Sequence, residues 1–168
     1  ANHLRAHAHS VFIPVYQNNT DGFERVIESL LPHLSLVVSG GNTLLVRIDA
    51  DRSLTILGQT IDDAAGEALD KGAKLLGLGY PGGPKLEEIA KGGQSNVFEF
   101  PRALIGKPNL DFSFSGLKTS LRYLLEKQSQ ADLDRILPDL CASYQEAVVD
   151  VLIRKSERAL TRGAFRSV

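Results

Sequence analysis

The sequence predicts a layered α/β domain, on three observations. Consecutive segments in its first half alternate with strand period, the C-terminal third is dominated by helix-period segments, and the composition is that of an ordinary globular chain. Of 168 residues, 43% are hydrophobic and 23% charged, which excludes a disordered or fibrous chain. Nineteen Lys and Arg against twenty Asp and Glu leave a net charge of -1, so a generally basic nucleic-acid module is excluded too. One domain, or part of a larger one, is expected at this length.

The elements follow in order. Ala1 to Phe12 reads as a short helix stopped before Pro14, and Phe23, Val26, Ile27, Leu30 and Leu31 repeat at helical spacing up to Pro32. From Leu34 the period becomes two. Leu34, Leu36 and Val38 alternate, Ser39-Gly40-Gly41-Asn42 supplies a turn, Leu44, Val46 and Ile48 alternate again, and Leu54 to Thr60 offers a third antiparallel strand. Thr60 or Asp62 is expected to cap a helix carrying Ala64, Ala65, Ala68, Leu69, Leu75 and Leu76, ended near Gly77 and Gly79. Tyr80-Pro81-Gly82-Gly83-Pro84 reads as an interrupting loop and Lys85 to Ala90 as a short helix. Val97, Phe98 and Phe100 read as a short strand, and Asp111 to Phe114 alternates similarly. Ser115-Gly116 opens a helix to about Lys127, and Pro138 is expected to separate Leu133–Leu137 from a longer helix over Leu140–Leu160.

No apolar run approaches the roughly 18 to 20 residues that cross a bilayer, so the chain reads as soluble with no membrane partner. The single cysteine, Cys141, reads as a small buried hydrophobe, and a reducing cytoplasmic location fits. The chain has no Met and begins at Ala1, and is expected to be a piece of a longer protein.

Several constellations bear chemistry. His3 and His7 stand four apart on the first expected helix, a spacing at which two imidazoles chelate one transition metal or simply form an exposed pair. A zinc peptidase places Glu directly after the first His, and Leu4 stands there instead; neither His9 nor His33 is an obvious third ligand. Ser39-Gly40-Gly41 exposes backbone N–H groups suited to an anion, or is merely a turn. Asp63, Glu67 and Asp70 share a helical face with Lys71 and Lys74, either as a salt-bridged surface or with one carboxylate leaving it for a ligand. Ser113 and Ser115 read as caps or ligand contacts, with no histidine placed to activate either. Arg154, Arg158 and Arg162 form a basic stripe, either a solvated face or a contact for a phosphate backbone.

Taken together, Asn2 to Ala8, Val38 to Thr43, Ile61 to Lys71, Tyr80 to Pro84, Asp111 to Thr119 and Tyr144 to Asp150 closely resemble the TsaD family of tRNA N6-adenosine threonylcarbamoyltransferases, formerly called glycoproteases. The resemblance implies a partial actin, sugar-kinase and Hsp70-type (ASKHA) fold, with 1–33 ending a first lobe and 34–168 forming part of a second. It implies that His3 and His7 ligate one iron or zinc ion. It also implies that Val37, Val38, Ser39, Gly40, Gly41, Asp70, Gly83 and Glu87 contact threonylcarbamoyl-adenylate. Asn42 stands where many members carry His. A third metal ligand and the adenosine-binding loop are expected beyond Val168. The implied activity is threonylcarbamoyl transfer to N6 of the adenosine beside the anticodon in tRNAs reading codons that begin with A. A TsaB-like scaffold subunit and a TsaE-like small ATPase are implied as partners. A non-catalytic scaffold-like module is the alternative, and a metallopeptidase a lesser one; the piece alone is expected to be inactive.

Overall fold

The computed structural model describes residues 28–168. The helix expected over residues 1–12 lies outside them, and of the one expected over residues 23–31 only the helical backbone at 28–30 is described. Strands β1 (His33–Val38), β2 (Thr43–Ile48) and β3 (Leu54–Gln59) form one antiparallel sheet in the order β1-β2-β3, as the alternation predicts. Register pairs Val38 with Thr43 across the glycine turn and Val37 with Leu44. Period two splits the sheet into two faces. Leu34 and Leu45 enter the main core, whereas Leu44, Val46 and Ile48 form a second cluster with Leu31, Val37 and Leu54 on the opposite side. Between β2 and β3 the register shifts after Leu45, so Leu57 is the extra residue of a bulge and packs toward the main core. Gly58 is required beside it, because a Cβ there would stand 2.1 Å from the Leu110 carbonyl oxygen.

Among the described residues four helices pack on the core face: α1 (Ala65–Leu75), α2 (Gly82–Ala90), α3 (Ser115–Leu125) and α4 (Gln130–Arg162). Helix α1 ends as expected, in a glycine: Gly77 takes the left-handed conformation, its N–H donates to the Lys74 carbonyl and that of Leu78 to the Ala73 carbonyl. Its start differs from expectation. Neither Thr60 nor Asp62 caps it; Ala65 N–H donates to Thr43 Oγ1 (2.9 Å), a buried hydroxyl from β2. Helix α2 also differs, since it begins at Gly82 inside the stretch read as a loop. Pro84 is tolerated because first-turn N–H groups have no intrahelical partner.

The short strand expected around Val97–Phe100 does not form. Phe98 N–H donates to Ser143 Oγ (3.1 Å) on α4, and Phe100 packs edge-on against Tyr144 at 5.2 Å, so these residues dock on a helix rather than a strand. The alternation at 111–114 yields only one parallel bridge, Thr60 with Phe112, while Phe112 and Phe114 enter the core as read.

Pro138 lies within α4, which runs unbroken for 33 residues. Long-range contacts hold it together: the turn at 92–94 closes on the proline, with Gln94 N–H donating to Asp139 Oδ1 (2.8 Å), and a Cβ on Gly93 would stand 2.1 Å from the Pro138 oxygen. The arginine stripe stays at the surface, with Arg154 and Arg162 exposed, but its guanidinium groups are engaged by the chain itself. Arg158 donates to the carbonyls of Lys107 and Ile105, Arg162 to that of Pro108, and buried Lys155 to that of Asn109. Arg154 pairs with Asp150 at 2.7 Å. Cys141 is buried as expected, and desolvation pushes its thiol up to about 11. No helix among the described residues is long and apolar enough to cross a membrane.

Candidate functional site

The tip of the β1–β2 hairpin is anchored on the first turn of α1. Gly66 N–H donates to the Ser39 carbonyl (3.2 Å), and a Cβ on Gly66 would stand 2.7 Å from that oxygen and 2.9 Å from Gly40 N. A side chain at 66 would therefore lift the tip from the helix. Within the turn, Ser39 N–H donates to the Asn42 carbonyl, and Ser39 Oγ accepts from the N–H groups of Asn42 (2.9 Å) and Gly41 (3.3 Å). Of the amides expected to face an anion, that of Gly41 is thus directed at Ser39 Oγ and that of Ser39 at the Asn42 carbonyl. That hydroxyl, accepting twice, keeps its own proton to donate. Gly40 and Gly41 present open backbone, with nothing within 4 Å of where a Cβ would stand.

One turn along α1, Asp70 leaves the salt-bridged face. Its Oδ1 accepts from the N–H groups of Gly82 and Gly83, both at 3.1 Å, capping α2 from a distance and leaving Oδ2 for a ligand. Lys71 is bound on both sides, by Asp63 Oδ1 at 2.6 Å and Glu67 Oε1 at 3.0 Å. Those hydrogen bonds raise the Lys71 pKa, and the Lys71 and Ala64 bonds lower that of Glu67. Lys74 has no ion pair among the described residues.

These elements form an open cleft of about 620 Å³, lined by Gly40, Glu67, Asp70, Lys71, Lys74 and Tyr80 together with Gly77 and Gly79. Of the residues that the resemblance implies as adenylate contacts, Gly40 and Asp70 share this cleft and Gly83 is held against Asp70. Ser39, Gly41 and Val38 are exposed at the tip, while Val37 turns into the second apolar cluster. Glu87, exposed, follows Gly83 by one helical turn on α2. His3 and His7 lie outside the described residues. Among the described residues no group of three or more His, Cys, Asp or Glu is placed to hold a metal ion.

Thr43 and Gly66 were given no individual role by sequence reasoning, whereas Lys74 was read as part of the charged face of α1 and Tyr80 as part of the Tyr80–Pro84 motif. The small residues of Ala64-Ala65-Gly66 were the available signal for a close backbone approach.

A second carboxylate organises the neighbouring helix start. Asp62 accepts from Ser113 Oγ (2.6 Å), Ser115 Oγ (2.8 Å) and the N–H groups of Phe114 (2.8 Å) and Ser115 (3.2 Å). Partial burial pulls its pKa upward, but these four donors win and hold it below the usual carboxylate range. The two serines are therefore helix-start contacts to a carboxylate.

A model of the family described as "TsaD: tRNA N6-adenosine threonylcarbamoyltransferase" matches residues 1–168. A relative from Thermotoga neapolitana, named tRNA N6-adenosine threonylcarbamoyltransferase, is 45% identical over 167 residues, covering 99% of this chain and 46% of its own length. Relatives of the same name from Chlorobium chlorochromatii and Syntrophotalea carbinolica are 46% and 52% identical, over 92% and 76% of this chain and 45% and 37% of theirs. The chain spans about half the length of the curated relatives it matches or less.

Proposed function

Because the chain belongs to the TsaD family, we propose that the protein carrying it transfers the threonylcarbamoyl group from threonylcarbamoyl-adenylate to N6 of the adenosine beside the anticodon in tRNAs reading codons that begin with A. The observation that carries this reading is the convergence of the bare hairpin tip at Gly40 with Asp70 on one cleft, Asp70 being tied to Gly83. Bare backbone admits a bulky acyl-adenylate, and the Ser39 hydroxyl proton is free to meet a phosphoryl oxygen. Asp70 Oδ2 accepts from a ligand hydroxyl while Oδ1 keeps α2 in place. Glu87 would reach the same ligand from the next turn of α2, and Val37, Val38 and Gly41 shape its hairpin wall. Fixed donors at a leaving adenylate phosphate lower the barrier as charge develops there, and attack by the adenosine amine needs no covalent enzyme intermediate.

The ion assigned to this reading is iron or zinc, held by His3 and His7; imidazole nitrogen suits either metal. When bound, it supplies Lewis-acid polarisation of the acyl carbonyl. We place the protein in the cytoplasm with a TsaB-like scaffold subunit and a TsaE-like small ATPase, and assign residues 34–168 to the second lobe of an ASKHA fold.

The test uses a full-length protein carrying this segment, supplied with synthase-generated threonylcarbamoyl-adenylate and tRNA. Transfer to the adenosine is expected, and D70N, which keeps an acceptor for both amides, is expected to lose about tenfold in adenylate affinity, or ~1.4 kcal/mol, without loss of fold. Absence of transfer by the metal-loaded wild type, with its partner subunits present, refutes the reading.

A further inference from the structure

Two aromatic rings of the described residues, Tyr80 and Tyr123, belong to neither apolar cluster, and of the two only Tyr80 lines the cleft. Tyr80 is 83% exposed and lines the cleft that holds Gly40 and Asp70. Its backbone is fixed on both sides. Gly79 precedes it in the left-handed conformation (φ 79°), after the glycine end of α1, and Pro81 follows as the residue immediately before α2, with the next two amides bonded to Asp70. A large ring is thus presented to solvent by a loop with little freedom to withdraw it. An exposed side chain on a mobile loop calls for no explanation; one held out by two helix ends is preorganised for a planar partner.

Charge beside the ring narrows that partner. Lys74 lines the same cleft, and Lys85 Nζ lies 3.1 Å from where a Cβ on Gly79 would stand. Neither ammonium is ion-paired among the described residues, in contrast to Lys71, which two carboxylates neutralise. The first turn of α2 carries no acidic side chain. A flat aromatic face with two uncompensated cations beside it is the arrangement that takes unpaired nucleotides, bases stacking on the ring and phosphates meeting the ammonium groups.

We propose that Tyr80, with Lys74 and Lys85, is the docking point for an unpaired RNA nucleotide next to the adenosine being modified. This rests on the transferase reading above, and it assigns the ring to the RNA rather than to the adenylate. Two cations outside the Ser39–Gly41 turn suit a polymer with successive phosphates better than a ligand with one.

The experiment measures transfer against tRNA concentration, and adenylate binding by titration calorimetry, in a full-length protein carrying this segment. Y80A is expected to raise the KM for tRNA about tenfold, from a stacking contribution of ~1–3 kcal/mol per base, with adenylate affinity unchanged; Y80F, which keeps the ring, restores the KM. K74Q with K85Q is expected to lower the slope of log affinity for RNA against log salt by about 1 to 2. A wild type without transfer refutes the transferase reading itself. If the wild type transfers but Y80A leaves the tRNA KM unchanged, or weakens the adenylate instead, the docking assignment is overturned. An unchanged salt slope in the lysine pair overturns the phosphate half of it.

Discussion

Replacing Gly66 by alanine separates the packing account of the cleft from a purely local one. The added Cβ would stand 2.7 Å from Ser39 O, 2.8 Å from Ser39 C and 2.9 Å from Gly40 N, all backbone atoms that no rotamer change can move aside. Non-bonded carbon contacts relax near ~3.5 Å, so the hairpin tip and α1 must part by roughly 0.7 Å, and the Gly66 N–H bond to the Ser39 carbonyl lengthens with them. Overpacking of this kind costs about 1–3 kcal/mol. The opposite sign is expected from helix propensity alone, where Gly to Ala stabilises by about 1 kcal/mol. Displacing the tip by most of an ångström relative to Asp70 is also enough for a rate loss approaching ~100-fold. Urea unfolding of G66A and adenylate titration in a full-length protein are the assays, with G106A as control, since nothing lies within 4 Å of the Cβ it would add. A G66A protein as stable as wild type or more so, binding adenylate equally well, would show that the hairpin is not seated on α1 as described.

D62N is expected to weaken the start of α3 by about 1 kcal/mol at neutral pH, the usual worth of a helix cap. The folded pKa of Asp62 lies below its unfolded value near ~3.9, so its stabilisation is present above that value and fades as pH falls through the folded one; the wild type should converge on D62N in acid, as urea titrations at stepped pH will read. R158Q, which removes donors to the Lys107 and Ile105 carbonyls, should cost about 1 kcal/mol and speed proteolytic nicking near residues 105–108. It should leave the salt dependence of RNA binding unchanged, because that guanidinium is already engaged by the chain itself; a reduced slope would return the stripe to the RNA.

The sheet was legible because a two-residue period and a glycine turn are local signals, and β1, β2 and β3 depend on little else. What local pattern could not show was determined by residues distant in sequence. Proline at 138 reads as a break until the turn at 92–94 is seen to close on it, and the residues around Phe98 read as a strand until Ser143 is seen to take its amide. Asp70 and the glycines of α2 were singled out separately, by position in a motif, but their mutual bond spans twelve residues and no periodicity encodes it. The arginine stripe shows the same limit: spacing i, i+4 placed three guanidiniums on one face, while the backbone loop that occupies two of them comes from residues about fifty positions away.

Helix α4 carries a consequence for how the chain acquires its structure. It meets α1, α2, α3 and β1, and contributes Leu140, Tyr144, Ala147, Val148, Val151 and Ala159 to the main core. A ribosome delivers residues in order, so every earlier segment emerges without the surface it will bury against. Cooperative closure must therefore wait until the end of that helix has left the exit tunnel, several seconds at ~5–20 residues per second for the 72 residues from Lys91 to Arg162. During that interval Leu45, Leu86 and Phe112 remain uncovered, which makes the nascent sheet a natural client for a chaperone.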